Sequence, residues 1–190
     1  LDFESGKNVL IGNNEAGKSS ILLALDLALG GSRNRIEALG AEALLNKDSV
    51  NTFLAGEKSL EKLPELIVDV FLEEGDDESL YGTNNVHQRQ TDGMRMIIAV
   101  MAEYGEAVQA ILADDQPNFP FEYYAVRFET FACRPYAAFN RPIKHMMLDG
   151  SRIDGDHASR EYTRAVYAFN APAEDRYKLE NLYRQGKQAF

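Results

Sequence analysis

Apolar and polar residues alternate along this chain in several distinct rhythms, and the rhythm changes fastest near its start. Leu1-Asp2-Phe3-Glu4 alternates like the end of a strand, and Ser5-Gly6 turns it into the apolar run Asn8-Val9-Leu10-Ile11, which has strand length. Residues 20–29 form a longer run of good helix formers, apolar on nearly every face, that stops at Gly30-Gly31. Such a helix is expected to lie buried beneath a sheet. Residues 35–45 predict a short helix and 46–62 a loop. The clearest strand is 64–73, and the acidic, polar stretch 75–90 predicts an exposed loop. Residues 94–101 are strand-like, 107–112 fit either element, and 114–120 predict a turn. Residues 121–131 are aromatic and β-branched enough for a strand. Residues 135–142 are irregular, 144–148 predict a last short strand, and 149–156 a loop. Helical spacing then fills 159–169 and 174–190, with Pro172 between them. No internal repeat or low-complexity segment occurs.

Between the first apolar run and the helix former stands Gly12-Asn13-Asn14-Glu15-Ala16-Gly17-Lys18-Ser19, a complete G-x-x-x-x-G-K-[ST] phosphate loop. Strand, glycine-bounded loop and helix is the order its chemistry needs. The glycines let the backbone wrap close to an anion, and successive N–H groups and the helix N-terminus point at the phosphates. Lys18 would reach the β- and γ-phosphates, and the Ser19 hydroxyl would complete the Mg²⁺ shell. The expected ligand is ATP with Mg²⁺, held by Gly12, Asn13, Asn14, Glu15, Ala16, Gly17, Lys18, Ser19 and Ser20. The strands that follow come in close succession without helices between them, unlike the βαβ rhythm of a small kinase or GTPase.

The loop with its following Ser20-Ile21-Leu22 resembles the ABC-type ATPase heads of chromosome-maintenance and repair proteins, the SMC and RecF groups. It is most similar to the OLD (overcoming lysogenisation defect) family of ATP-dependent nucleases. Tyr123-Tyr124-Ala125-Val126-Arg127-Phe128-Glu129-Thr130-Phe131, Arg134-Pro135-Tyr136, Arg141-Pro142-Ile143-Lys144 and Leu148-Asp149 resemble the segment after the first β-rich part of those heads. The resemblance covers about residues 1–165. It implies an α/β P-loop NTPase fold, the N-terminal lobe of an ABC-type head, with a mixed sheet, an antiparallel β subdomain and a helical C-terminal end. It implies a partial head over 1–158 and a helical arm over 159–190. It also implies a full head that closes as a homodimer, acts on DNA, and carries its nuclease in a C-terminal Toprim domain. Starting mid-pattern and ending in a helix, the sequence reads as a piece cut at both ends.

Composition narrows the picture. A chain of 190 residues with 45% hydrophobic and 26% charged content fits one domain with a sizeable core. No apolar stretch approaches the roughly 20 residues a membrane span needs, no basic-then-apolar leader opens the chain, and no membrane partner is expected. A single cysteine, Cys133, fits a reducing cytosol and a small, partly buried role rather than a nucleophile. The formal charge of −10 opposes a DNA-binding surface on this piece alone. Arg33 and Arg35 are expected to be solvated in a loop.

Several constellations compete for chemistry. Asp69 imitates a metal-binding Walker B acid but sits mid-strand, where alternation predicts a solvent-facing side chain. Glu74-Gly75 with Asp154 and Asp156 imitates a Toprim acid set, although no apolar strand aims the second half. His87, His145 and His157 are dispersed. Asn46-Lys47-Asp48-Ser49 lacks the aspartate of a GTPase base-specificity motif, and nothing in the sequence selects Gln88 or Gln90 as a Q-loop residue. The reading that emerges is the ATP-binding lobe of an OLD-like, cytoplasmic ATP-dependent DNA endonuclease, or of an SMC/RecF-type ATPase without a nuclease.

Overall fold

The β-branched and aromatic segments pair with one another. In the computed structural model, which describes residues 1–114, 118–148 and 155–188, the ten-residue strand β3 (Thr91–Val100) lies between β1 (Leu66–Phe71) and β4 (Tyr124–Thr130). Both pairings are antiparallel, with Val68 and Phe128 flanking Met96. A two-residue strand, β2 (Tyr81–Gly82), pairs with the start of β3. Alternation sends Met94, Met96 and Ile98 to one face, where all three are buried with Val126 and Phe128. Against that face pack Leu27 and Ala28 of α1 (Lys18–Gly30), Ile36 of α2 (Arg33–Leu39) and Tyr136. Each of the Leu, Ile, Val, Met and Phe side chains among these contributes roughly 1.5–3 kcal/mol on burial.

A second cluster joins Val50 and Phe53 of α4 (Lys47–Ala55) to Val108 and Leu112 of α5 (Gly105–Leu112), with Leu45, Leu63 and Phe119. Val108 and Leu112 are one helical turn apart, so the segment that fits either element from its sequence is a helix that buries one stripe. Residues 35–45 are helical but broken at Gly40 (φ 79°) into α2 and α3 (Ala41–Leu44).

The structure departs from expectation at several places. Residues 46–62 are not a loop. The Asn46 side chain accepts from the Asp48 and Ser49 amides at 2.9 and 3.0 Å and starts α4. Asn in that position is a helix cap as readily as a loop residue. The run 8–11 forms no strand. Val9 is 69% and Ile11 91% exposed, because an extended segment becomes a strand only beside a partner, and no described residues pair with it. The Ser5-Gly6 turn does form, closed by Asn8, whose side chain bonds both the Glu4 amide and carbonyl. The sheet is accordingly antiparallel throughout the described residues, without the parallel part of a mixed sheet. Residues 144–148 form no strand. Within 75–90 the chain is not wholly exposed: Leu80 and Asn85 are buried. Of the expected turn, residues 115–117 lie outside the described residues, as do 149–154 of the expected loop.

The residues Lys144–Phe190 form a separate compact unit from Leu1–Ile143. It contains α6 (Gly155–Asn170) and α7 (Ala173–Gln188). Pro172, which has no N–H to donate, separates them, and its carbonyl accepts the Asp175 amide at 3.1 Å to start α7. Among the described residues no helix is long and apolar enough to cross a membrane.

Candidate functional site: an anion seat at the start of a helix

Gly17 adopts φ 83°, in the left-handed region, and α1 begins at the next residue. A Cβ at Gly17 would meet nothing within 4 Å, so conformation rather than space demands glycine there. At Gly12 space decides, because a Cβ would come 3.1 Å from that of Ala16. Between them the chain tightens: the Ala16 amide donates to the Asn13 carbonyl at 3.2 Å, and Glu15 takes φ 67°.

The first helical bond of α1 runs from the Ile21 amide to the Gly17 carbonyl at 3.0 Å. The amides of Lys18, Ser19 and Ser20 therefore precede the helical ladder and have no partner within the helix. No side chain caps this end, and its first turn carries no acid. Lys18 folds back over the loop, its Nζ donating to the Gly12 and Asn13 carbonyls at 2.6 Å each. A positive end of a helix, a cation above it and two hydroxyls beside it suit a phosphate group with its Mg²⁺. Residues 12–16, 19 and 20 are exposed, so a ligand has access.

The other end of α1 is fastened. The Tyr136 hydroxyl donates to the Ala28 carbonyl at 2.7 Å, and burial pushes the pKa of that hydroxyl up. Asp26, buried in α1, forms an ion pair with Arg35. Arg33 and Arg35 thus belong to α2 rather than to a solvated loop. Neither support is a motif; Tyr136 lies 108 residues from Ala28, and only its aromatic type hinted at burial. The helix is less covered than its composition implies: Asp26, Leu27 and Ala28 are buried, while Leu22 is 42% exposed.

The competing acids are placed elsewhere. Asp69 points away from the core, as alternation predicts, yet it is not solvated: its side chain is 6% exposed. The Arg95 guanidinium grips it in a fork, Nε at 2.6 Å and Nη2 at 2.7 Å, and the Val86 amide donates to it at 2.8 Å. That bond raises the pKa of Arg95. Three donors already occupy the carboxylate, and the guanidinium charge held against it opposes a metal ion at the same place. Glu74 is exposed at the end of β1, and Asp154 and the Asp156 side chain lie outside the described residues. Among the described residues no group of three or more His, Cys, Asp or Glu comes together to hold a metal. His87 packs at a tilt against the Phe71 ring, and Gln88 (φ 49°) and Gln90 sit on an exposed loop. Cys133 is exposed rather than partly buried, because it takes φ 59° in a tight turn whose amide returns to the Thr130 carbonyl.

The sequence profile of the AAA domain family matches residues 1–121, from the start of the chain to the turn before β4. That is more than half of the chain, and the chain belongs to the AAA domain family. Membership makes it an ATP-binding ATPase lobe. No curated protein and no solved structure matches it.

Proposed function

We propose that this chain is the ATP-binding lobe of an ABC-type ATPase head from an OLD-like, ATP-dependent DNA endonuclease. The observation that carries the ATP site is the open N-terminus of α1, presented by Gly17 in its left-handed conformation and overhung by Lys18. Gly12, Asn13, Asn14, Glu15, Ala16, Gly17, Lys18, Ser19 and Ser20 hold ATP with Mg²⁺, and Ser19 is the protein's ligand to the metal. Bound Mg–ATP brings the anhydride whose cleavage powers the head. The chain's own residues seat the phosphates, orient them along the helix axis and neutralise their charge. The whole protein acts as a homodimer on DNA in the cytoplasm.

Titration of labelled ATP tests the site. Lys18→Ala removes a charge-assisted bond of about 1.5–3 kcal/mol, so ATP binding weakens by at least about tenfold. Equal affinity would remove the loop from the assignment. A second reading, which the same phosphate-loop resemblance supports, is an SMC/RecF-type ATPase without nuclease. The two diverge in the full-length protein: Mg²⁺-dependent nicking of supercoiled plasmid supports the first and its absence the second.

A further inference from the structure

Helix α1 is seated tightly on the sheet along only part of its length. Its inward stripe is Ser20, Leu23, Ala24 and Leu27, spaced three and four apart. The stripe faces two cross-strand pairs of the sheet, Leu66 with Ile98 and Val68 with Met96. At the C-terminal half of the helix the contact is closed. Leu27 and Ala28 are buried, the Tyr136 hydroxyl holds the Ala28 carbonyl, and a Cβ on Gly31 would come 3.0 Å from the Ala137 backbone. Towards the N-terminal half it opens into a cleft of about 290 Å³, whose third wall is Ala43 and Leu44 of α3. Leu23, Leu44, Leu66 and Val68 are only partly buried although they pack against the core.

Side-chain length accounts for the gap. Ala24 and Ala43 end at Cβ, each next to a leucine in the chain, so the two helical walls stand apart from the sheet there. All three walls belong to one compact unit, and Ser20 is the one polar residue among those that line the cleft. A charged or sugar-like ligand would lose its hydration here without replacement. Apolar walls facing a gap forfeit contacts on both sides, and a molecule of matching shape restores them. An apolar cavity of about 150 Å³ takes a single benzene ring, and this cleft has room for two fused rings.

Ser20 ties the cleft to the anion seat. Its amide is one of those that precede the helical ladder of α1, and the same residue borders the cleft. A molecule wedged beneath this turn fixes its position on the sheet, and with it the direction of the amides that face the phosphates. We infer that the cleft between α1, α3 and the sheet binds a small, uncharged two-ring aromatic molecule, and that this occupant steadies the ATP seat. The second half rests on the ATP-site reading; the first does not.

Indole is the probe. The chain has no tryptophan, so emission from an indole ring belongs to the probe alone. Titrating the 190-residue chain into indole shifts the emission to the blue and saturates at one equivalent. Ala24→Leu/Ala43→Leu fills the cleft from two walls and weakens indole binding by at least about tenfold. Leucine is a good helix former, and far-UV circular dichroism shows whether the variant is folded. Ala43→Leu alone, at an exposed position, weakens indole binding in the same direction. Saturating indole tightens the binding of labelled ATP by at least about fivefold, and ATP tightens indole binding by the same factor. No saturable shift, or an equal shift in the folded filled variants, overturns the site. Unchanged ATP affinity with indole bound overturns the link to the seat. Indole that binds the 190-residue chain but not the full-length protein means that another segment lies in the cleft, and overturns the inference. Lys18→Ala loses ATP binding and keeps indole binding, so the ATP reading and the cleft fail separately.

Discussion

A carboxylate in the middle of a strand survives only if its charge is met, and Asp69 is met three times. Two bonds come from the Arg95 fork and one from the Val86 amide, and Asn84 holds the guanidinium from the other side at 3.3 Å. Breaking a buried pair by deleting one partner leaves an uncompensated charge and costs about 3–5 kcal/mol. Asp69→Ala should therefore lower the thermal midpoint by about 10 °C in a chain of this size, while leaving ATP affinity as it was. A melt and an ATP titration on one preparation check both halves. Weakened ATP binding in a folded Asp69→Ala protein would return Asp69 to the nucleotide site. Alternation along β1 gave the direction of this side chain correctly. Its cover was illegible because it comes from residue 86, seventeen positions on, through a backbone amide that any residue type could supply. Local rules see the strand but not the loop that folds across it.

Elements with their own internal signal were legible, and those that need a neighbour were not. The strands of the sheet are rich in β-branched and aromatic residues, so 64–73 and 121–131 each contain one and 94–101 overlaps the one that runs from Thr91 to Val100. The strand expected at 8–11 depends on a partner that its own residues cannot specify. One contact between elements makes a sharp test: Gly93 faces the Phe131 ring so closely that a Cβ would fall 2.0 Å from its Cε2. Phe131 is 1% exposed and the ring has nowhere to move, so Gly93→Ala should destabilise by at least about 1–3 kcal/mol. A urea melt with unchanged m-value would show it; a neutral effect would mean that the ring is free to turn. At the far end of α1, Tyr136→Phe removes one hydrogen bond, worth about 1 kcal/mol. Burial raises the Tyr136 pKa, so the folded state holds this proton more tightly than the unfolded chain does. Its contribution is complete below about pH 10 and is lost as pH rises past it. Alkaline unfolding monitored by circular dichroism should be less steep in Tyr136→Phe than in the parent.

For the whole molecule the question is whether a seat for ATP amounts to a site that hydrolyses it. Binding needs the helix end, the glycine-bounded loop and Lys18, and all are in place. Turnover needs more: a carboxylate to hold the metal from the far side, a group to orient water, and positive charge at the γ-phosphate as it leaves. Among the described residues no cluster of acids is arranged to hold a metal, and Asp69 is tied to Arg95. The 190-residue chain should therefore bind ATP yet release phosphate at the rate of a buffer control. A coupled phosphate assay with Mg²⁺, run beside Lys18→Ala, decides the matter. Steady release that disappears in Lys18→Ala would place a catalytic acid in this chain. The exposed Glu73 and Glu74 at the end of β1 would then be the first to substitute, since their carboxylates, unlike that of Asp69, lie open to solvent. Release that persists in Lys18→Ala would point to a contaminant, because a turnover site on this seat cannot work without its cation.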